Sequence, residues 1–377
     1  MLDAVPIETA ADAAVLRAVD RAIAELRRGD PVLLHGPDGA AALVLAAEAA
    51  DDRTIPQLAR LAGQAPCLLL TGRRAAVLGL VPAPAGVVAL DLDETPASAV
   101  ADIADPGSGP RSAPETSSLP PVTAPTPLGE SAVDLVKTAR LLPAVLLAPV
   151  DLAGAAPEDW AAARDLLAAS VAGLDDYRLV GPRSLSRVAE ARLPLTGAED
   201  TRVIAFRPGD GGKPHLAIVI GAPRADEPVL VRVHSECFTG DLLASLRCDC
   251  GDQLRGAIGA IGQAGAGVLL YLSQEGRGIG LVNKLRAYQL QDRGADTAEA
   301  NEQLGFDADE RVYLPAAAML GHLGYRRVRL LTNNPDKVAA LTRCGIVVSE
   351  RVPHAFPSNG HNEFYLATKA ARFGHEF

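Results

Sequence analysis

The residues of this chain best suited to chemistry are three cysteines, Cys237, Cys248 and Cys250, which lie within fourteen residues. The Cys-x-Cys pair can direct two sulfurs at one ion, and a strand ending about ten residues earlier can supply the third. Thiolates are the soft ligands that zinc prefers, and three protein ligands leave the fourth tetrahedral position for water. We therefore predict a catalytic zinc site. Two alternatives stay open: a structural zinc whose fourth ligand is His234 or a distant cysteine, and three buried thiols without metal.

The overall composition limits the class of protein. The five cysteines are an odd number, and the first twenty residues do not have the pattern of a secretory signal, which argues against a disulfide framework. No run of 18 apolar residues occurs, so we expect no membrane span and a soluble, cytoplasmic protein. The net charge of -10 disfavours nucleic-acid binding, although a few local cations suffice for a nucleotide.

Alternating strands and helices are predicted around the cysteines. Hydrophobic runs and helical periodicity indicate strands at 216–220, 229–233, 268–272 and 328–331, with helices at 252–263, 281–291, 314–323 and 335–343. The first half has the same mixture, with helices at 12–28 and 130–140 and strands at 31–34, 68–70, 87–92 and 141–150. We predict the α/β (α+β) class, with a mixed α/β domain in each half.

A proline-rich segment and a later boundary divide the chain. Seven of the 25 residues from Ala104 to Leu128 are proline, which excludes a helix or a central strand and predicts a flexible loop or linker. The pattern of elements changes near Gly181-Pro182. We therefore expect domains at 1–182 and 183–377.

Several motifs follow one another in the second half: RVHSEC and RCDCG, then QEGRGIGL, DTAEAN and LLTNNP. Taken together they resemble GTP cyclohydrolase II from about Ser184 to Phe377, roughly half of the chain. The resemblance implies that family's fold for this half. It also implies the first step of riboflavin synthesis, in which GTP is hydrolysed to 2,5-diamino-6-(5-phospho-D-ribosylamino)pyrimidin-4(3H)-one, formate and pyrophosphate.

The same resemblance implies a role for individual residues. Cys237, Cys248 and Cys250 would bind one zinc ion per subunit, Asp309 would be the general base, Arg311 the nucleophile toward the α-phosphate, and Tyr288 would act in ring opening. Magnesium would accompany the triphosphate, and a homodimer is expected. The residues implied in GTP binding are Arg232, Val233, His234, Ser235, Glu236, Gln253, Glu275, Gly276, Arg277, Thr297, Thr332 and Lys337.

Outside that family, each of these residues has an ordinary structural explanation. Asp309 and Arg311 lie in the charged segment DADER, which is typical of a solvated loop. Tyr288 suits a helix core, and Thr332 suits a helix cap. One position departs from the family pattern, because Ser273 stands before QEGR where a basic residue is expected. If that residue helps to hold phosphate, the affinity for GTP would be lower.

The first half, from about Val19 to Val150, resembles 3,4-dihydroxy-2-butanone 4-phosphate synthase in AIAELRRGDPVLL and ESAVDLVKTARLLPAVLL. That synthase holds magnesium with an acidic cluster after its first strand. Here the stretch is HGPDGAAAL, whose single carboxylate, Asp38, cannot build such a site. The histidine that precedes the later helix in that family is replaced by Gly129. We expect a folded, degenerate domain without synthase activity, whose role could be dimerisation, stability or regulation.

Three other functions remain as alternatives to the cyclohydrolase. A related enzyme could stop at a formamide or serve uracil breakdown. A regulatory paralogue could bind GTP without turnover, although it would not need to keep Asp309, Arg311 and the cysteines. A zinc-stabilised nucleic-acid module is disfavoured by the acidic charge. Bound zinc without release of formate would favour binding over catalysis.

Overall fold

The fold is described from a computed structural model, which describes residues 10–92, 95–107, 119–123, 127–181 and 184–354. Contacts within the chain define two compact units. Among the described residues, the first contains 10–178 together with the later segment 282–310, and the second contains 179–281 and 311–354. The predicted domain boundary at 182/183 stays a prediction. The units defined by contacts differ from a single cut there, because the segment 282–310 groups with the first half of the chain.

The first unit begins with a helix and then alternates strands with short helices. In chain order its elements are α1 (Ala10–Arg28), β1 (Val32–His35), β2 (Ala41–Ala46), α2 (Thr54–Ala62), β3 (Cys67–Thr71), α3 (Gly72–Val77), β4 (Val87–Asp91), α4 (Ala97–Ala104), β5 (Val122–Thr123), α5 (Gly129–Thr138), β6 (Ala144–Pro149), α6 (Pro157–Ala162), β7 (Ala168–Ser170) and α7 (Val171–Val180).

The strands of this unit form a seven-stranded sheet in the order β5-β4-β3-β6-β2-β1-β7 among the described residues. Only β1 and β7 pair in parallel in this sheet, and its other described pairs are antiparallel. Successive side chains of a strand point to opposite faces. In β1, Val32 and Leu34 accordingly join one buried cluster, and Leu33 joins another. Apolar packing on both faces explains why these strands are nearly continuous hydrophobic runs.

The second half of the chain adds a further set of strands and helices. In chain order they are β8 (Ser186–Arg192), β9 (Thr201–Arg207), β10 (His215–Ile220), β11 (Val229–Ser235), α8 (Cys250–Gln263), β12 (Gly267–Leu272), α9 (Leu281–Asp292), α10 (Thr297–Gln303), α11 (Leu314–His322), β13 (Arg327–Leu331), α12 (Pro335–Arg343) and β14 (Val347–Val352). Apart from Leu281, the first residue of α9, helices α9 and α10 lie in the segment 282–310, which contacts place in the first unit.

The sheet of the second unit has the order β14-β13-β11-β12-β10-β9-β8 among the described residues. The neighbours β14, β13, β11 and β12 run parallel, and the rest pair antiparallel. Because parallel strands end at the same edge of a sheet, the residues that follow β11, β12 and β13 are brought side by side. The predicted site residues come mainly from these three strand ends.

The predicted mixed α/β class is confirmed in both units. The helix predicted at 335–343 coincides with α12, where Pro335 occupies the first turn and Asn334 caps the helix. In the described part of the proline-rich segment, Ala104 ends α4, and two residues form the strand β5 at the edge of its sheet, where proline neighbours are tolerated. No helix in the described part of the chain is both long and apolar enough to cross a membrane.

Candidate active site

The three cysteines predicted to bind zinc come together. Cys237 follows β11, and Cys250 begins α8. The three Sγ atoms lie within 4.8 Å of one another, and those of Cys237 and Cys248 are 3.8 Å apart. Sulfurs that share one tetrahedral zinc ion at about 2.3 Å are separated by about 3.8 Å. The structural-zinc alternative requires a fourth protein ligand. Among the described residues, no further histidine, cysteine or carboxylate joins this group.

Backbone glycine keeps the space between the sulfurs open. A Cβ at Gly240 would lie 2.7 Å from Cys248 Sγ and 3.1 Å from Cys237 Sγ. The Gly240 amide also donates a hydrogen bond of 3.4 Å to Cys237 Sγ. An amide that points at a sulfur stabilises a thiolate there. The cluster therefore fits a soft metal ion in both donor type and available room.

Neighbouring thiols also raise the pKa values of Cys248 and Cys250. Hydrogen bonding to Cys237 and burial raise the pKa of Cys248 and hold the pKa of Cys250 well above the ordinary thiol value. Three neighbouring thiols resist ionisation because each thiolate repels the next. A bound divalent cation reverses that effect, since coordinated thiols are deprotonated.

Asp241 connects the cysteine cluster to the sheet, and sequence analysis missed it. Its carboxylate accepts a hydrogen bond of 3.0 Å from the Cys237 amide and one of 2.9 Å from the Tyr271 hydroxyl. His234 Nε2 lies 3.1 Å from the same carboxylate. His234 is not part of the group of ligand atoms that lie within 4.8 Å of one another, so its contact with Asp241 belongs to the surroundings of the cluster. Such outer contacts orient the ligands of a metal site.

The stretch Arg232–Glu236, which the family resemblance implies in GTP binding, forms the end of β11 and the residue after it. Among the described residues, four buried side-chain atoms have no hydrogen-bond partner, and three of the four belong to this stretch: Arg232 Nε, His234 Nδ1 and Glu236 Oε2. The fourth is Gln274 Oε1, after β12. Buried polar atoms without a partner are costly. A polar ligand seated at these strand ends would satisfy them.

Arg232 supplies a buried positive charge. Its Nη1 donates to the Leu331 carbonyl at 2.9 Å, and its Nη2 donates to Gln253 Oε1 at 2.5 Å. Burial lowers its pKa to about 10, and the nearby charge of Arg311 acts in the same direction. The guanidinium therefore stays protonated at neutral pH. Gln253 is held in turn, because its Nε2 donates to Asp249 Oδ2.

The loop after β12 carries Glu275, Gly276 and Arg277. Glu275 is buried and accepts a hydrogen bond of 2.6 Å from the amide of Phe238, which follows Cys237. Arg277 has a φ of 59°, a left-handed conformation that is unusual for a residue with a side chain. Strain of this kind is often retained at functional sites. Ser273 donates through Oγ to the Pro214 carbonyl at 2.8 Å.

Thr332 follows β13, and Lys337 lies in the first turns of α12. Thr332 Oγ1 accepts a hydrogen bond from the Asn334 amide at 3.0 Å, while Asn334 Oδ1 accepts one from the Asp336 amide at 2.8 Å. Lys337 is buried, and its Nζ lies 3.3 Å from the Val233 carbonyl, to which it donates. A cation and a helix start are thus placed beside β11, an arrangement that favours anions.

The remaining predicted residues are divided between the two units. Arg311 belongs to the second unit, and its guanidinium carbon lies 6.0 Å from the ring centre of Tyr313. Tyr288 lies on α9, Thr297 begins α10, and Asp309 is exposed in the loop after it. The contacts group these last three residues with the first unit. The cysteine cluster therefore shares a unit with Arg232, Glu275 and Lys337, and not with Asp309.

Comparison with known proteins identifies a family for the second half of the sequence, the segment 282–310 included. The sequence model of GTP cyclohydrolase II matches residues 186–353. GTP cyclohydrolase-2 of Azospirillum brasilense is 57% identical over 371 residues, which cover 97% of this chain and 95% of that protein.

Shorter relatives have the same name. GTP cyclohydrolase-2 of Pseudomonas paraeruginosa is 56% identical over 188 residues, 50% of this chain and 91% of that protein. The Cronobacter sakazakii protein is 58% identical over 191 residues, 51% of this chain and 96% of its own. Among solved structures, a two-domain 3,4-dihydroxy-2-butanone 4-phosphate synthase from A. baumannii is 18% identical with a TM-score of 0.35, and it covers 90% of this chain and 99% of its own.

Proposed function

Because this chain belongs to the GTP cyclohydrolase II family, we propose that it hydrolyses GTP to 2,5-diamino-6-(5-phospho-D-ribosylamino)pyrimidin-4(3H)-one, formate and pyrophosphate in a zinc-dependent reaction. The chain is a hydrolase, and the family acts on GTP in riboflavin biosynthesis. The observation that carries the zinc-dependent chemistry is the cluster of Cys237, Cys248 and Cys250, whose sulfurs lie within 4.8 Å of one another.

Zinc and the residues around it have separate tasks in this proposal. When bound, zinc supplies Lewis-acid activation of the water that attacks C8 of guanine. Asp241 fixes the backbone of Cys237 and the ring of His234, so the ligands are held before substrate arrives. The buried atoms Arg232 Nε and Glu236 Oε2 offer a donor and an acceptor to the polar groups of GTP.

The phosphate chain would lie where positive groups converge. Arg232 and Lys337 are buried cations of the second unit, and the positive end of the α12 helix dipole lies nearby. Arg277 and Thr332 complete this set in the proposal. Magnesium bound to the triphosphate would further neutralise its charge.

Proton transfers and phosphate cleavage are assigned on the family pattern. Asp309 is proposed as the general base and Tyr288 as a proton carrier during ring opening. Arg311 is proposed as the nucleophile toward the α-phosphate. A guanidinium stays protonated in water, so that role requires a neighbouring base, and Asp309 lies two residues earlier in the chain. Thr297 is proposed to contact GTP.

The first unit is proposed to lack synthase activity. Asp38, the single carboxylate in HGPDGAAAL, lies in the turn between β1 and β2, where its Oδ1 accepts a hydrogen bond from the Ala40 amide at 3.1 Å. Relatives that align over half of this chain have the cyclohydrolase name, which supports placing the reaction in the second half. A homodimer, which rests on the family resemblance, and a cytoplasmic location, which rests on the sequence pattern, are further parts of the proposal.

The decisive experiment compares product release by wild type and Cys248→Ser in the full chain. Formate and pyrophosphate are measured from GTP with zinc and magnesium present, and bound zinc is measured by mass spectrometry. Cys344→Ser is the matched control, because Cys344 ends α12 and is not part of the cluster. We expect both products from wild type and control, and neither from Cys248→Ser, which should also lose zinc.

Each other outcome points to a different function. Pyrophosphate without formate would indicate a cyclohydrolase with a formamide product. A wild type that binds zinc and GTP and releases no product would refute catalysis and favour a regulatory role. Full turnover by zinc-free Cys248→Ser would refute the zinc-dependent chemistry.

A further inference from the structure

We propose that the first unit positions the loop that carries Asp309. Arg73 forms an ion pair with Asp307, and Lys137 forms one with Glu310, so that the residues on both sides of Asp309 are held, and this placement sets the turnover rate. The inference rests on the proposed function, since it takes Asp309 as a reacting group. It assigns a task to a half of the chain that the cyclohydrolase reaction itself does not explain.

Ion pairs hold the loop from both sides. Arg73, on α3, places Nε 2.6 Å from Asp307 Oδ1 and Nη1 3.2 Å from Glu302 Oε1. Lys137, on α5, places Nζ 2.7 Å from Glu310 Oε1. The Lys137 and Glu310 side chains are only 20% and 19% exposed, so this pair is screened less than a surface pair. Asp309 therefore lies between two anchored neighbours.

The loop is also closed within itself. The Asp307 amide donates to Glu310 Oε1 at 2.8 Å, and Asn301 Nδ2 donates to the Ala308 carbonyl at 3.4 Å. The Glu310 carboxylate thus accepts a hydrogen bond from the Asp307 amide and pairs with Lys137. The backbone on each side of Asp309 is defined by hydrogen bonds, and one of its anchors, Lys137, comes from the first half of the chain.

A second set of contacts seats the end of α10 against β3 and α3. The Thr71 hydroxyl donates to the Gly305 carbonyl at 2.8 Å, and Arg74 Nη1 donates to the Gln303 carbonyl at 3.2 Å. Gly305 has a φ of 90°, and a Cβ there would lie 2.9 Å from Thr71 Oγ1 and 3.0 Å from Pro143 Cγ. Only glycine allows so close an approach with this backbone.

These contacts match a positioning role better than general stability. They converge on residues 302–310, while the apolar cores of the first unit are formed by its β-strands and α1–α7. A general base acts only within hydrogen-bond reach of its proton, so small displacements of its loop lower the rate of reaction. Shorter relatives have the cyclohydrolase name without this half, so these ion pairs are a property of this longer chain and not a requirement of the reaction.

The test uses full-length variants and readouts that separate positioning from folding. The double variant Arg73→Ala/Lys137→Ala removes both anchors, Arg73→Lys keeps the charge, and Gly305→Ala blocks the close approach. Arg60→Ala is the matched control, since Arg60 is exposed on α2 of the same unit. For each we measure kcat and KM for GTP by formate release, bound zinc, the melting temperature and hydrogen exchange of residues 305–310.

The double variant should lose about tenfold in kcat, with KM and zinc content within about twofold of wild type, because only the placement of the base changes. Amide exchange at residues 305–310 should be faster in the double variant. Gly305→Ala should show the same loss of kcat and the same faster exchange. Arg73→Lys, which keeps the positive charge, should retain more of the rate than the double variant. Unchanged kcat with faster exchange would overturn the positioning role. Unchanged exchange would show that the ion pairs of Arg73 and Lys137 do not hold the loop. A wild type without formate release would instead refute the proposed function, and the catalytic part of this inference with it.

Discussion

Replacing Gly240 by alanine should weaken metal binding although none of the three cysteines is replaced. The new Cβ would lie 2.7 Å from Cys248 Sγ, 2.9 Å from Cys250 Cβ and 3.1 Å from Cys237 Sγ, whereas ordinary contact begins at 3.4 Å. The sulfur of Cys248 must therefore retreat by about 0.7 Å, several times the roughly 0.2 Å within which ligand distances of a metal site are held. The three sulfurs can then meet one ion only in a distorted geometry.

The energetic cost can be placed within limits. Adding a methyl group to a filled site costs about 1–3 kcal/mol. Without metal the sulfurs can move apart and relieve the overlap, so most of this cost falls on the zinc-bound state. At about 1.4 kcal/mol for each tenfold change, zinc binding should weaken by about 5- to 150-fold.

Zinc affinity of Gly240→Ala is measured by competition with a chromogenic chelator, and formate release from GTP is followed in parallel. The matched control is Gly259→Ala on α8, where a Cβ meets no atom within 4 Å, so zinc binding should equal that of wild type. Wild-type zinc affinity and turnover in Gly240→Ala would refute the idea that these three sulfurs share one ion in the geometry described.

Two further predictions concern the surroundings of the site. The side chain of Asp241→Asn cannot bond the Cys237 amide, His234 and Tyr271 together, so the variant should bind zinc about 10- to 100-fold more weakly. The zinc retained after dialysis measures this affinity, and unchanged retention would contradict the role of Asp241. Burial, aided by the charge of Arg232, lowers the pKa of His354 to about 4, so the unfolded chain takes up this proton more readily. The free energy of unfolding should accordingly be highest above about pH 6.5 and fall between there and about pH 4, as measured by urea titration, with a shallower fall in His354→Gln. Equal pH slopes for the two proteins would show that His354 does not titrate in this way.

Local sequence patterns were sufficient for many elements of the fold. β10, β11, β12 and β13 each contain an apolar run, and the structure forms strands there, because burial on both faces demands such runs. α12 was predicted with its observed bounds because Pro335 and the capping Asn334 mark a helix start. In contrast, β8 was not predicted: all its residues are exposed, so it lacks the alternation that signals a strand.

The functional site was predictable to the extent that its chemistry lies in short spacings. Two cysteines separated by one residue and a third nearby indicate a metal, and the structure brings their sulfurs together. Asp241 could not be predicted, since a carboxylate in a polar segment has no local signature, and only the fold turns it toward the Cys237 amide. The same holds for Gln274, which becomes informative only when its Oε1 is found buried.

The sequence by itself determined which residue types are available, the family of the second half and the mixed α/β class of both units. Only the tertiary structure decided that the segment 282–310, continuous with the cyclohydrolase motifs, packs with the first half of the chain. The physical reason is that local patterns report which residues must be buried and not what buries them. Arg73 lies 234 residues before Asp307, and Lys137 is likewise distant in sequence from Glu310, so folding alone pairs them with the two flanks of Asp309.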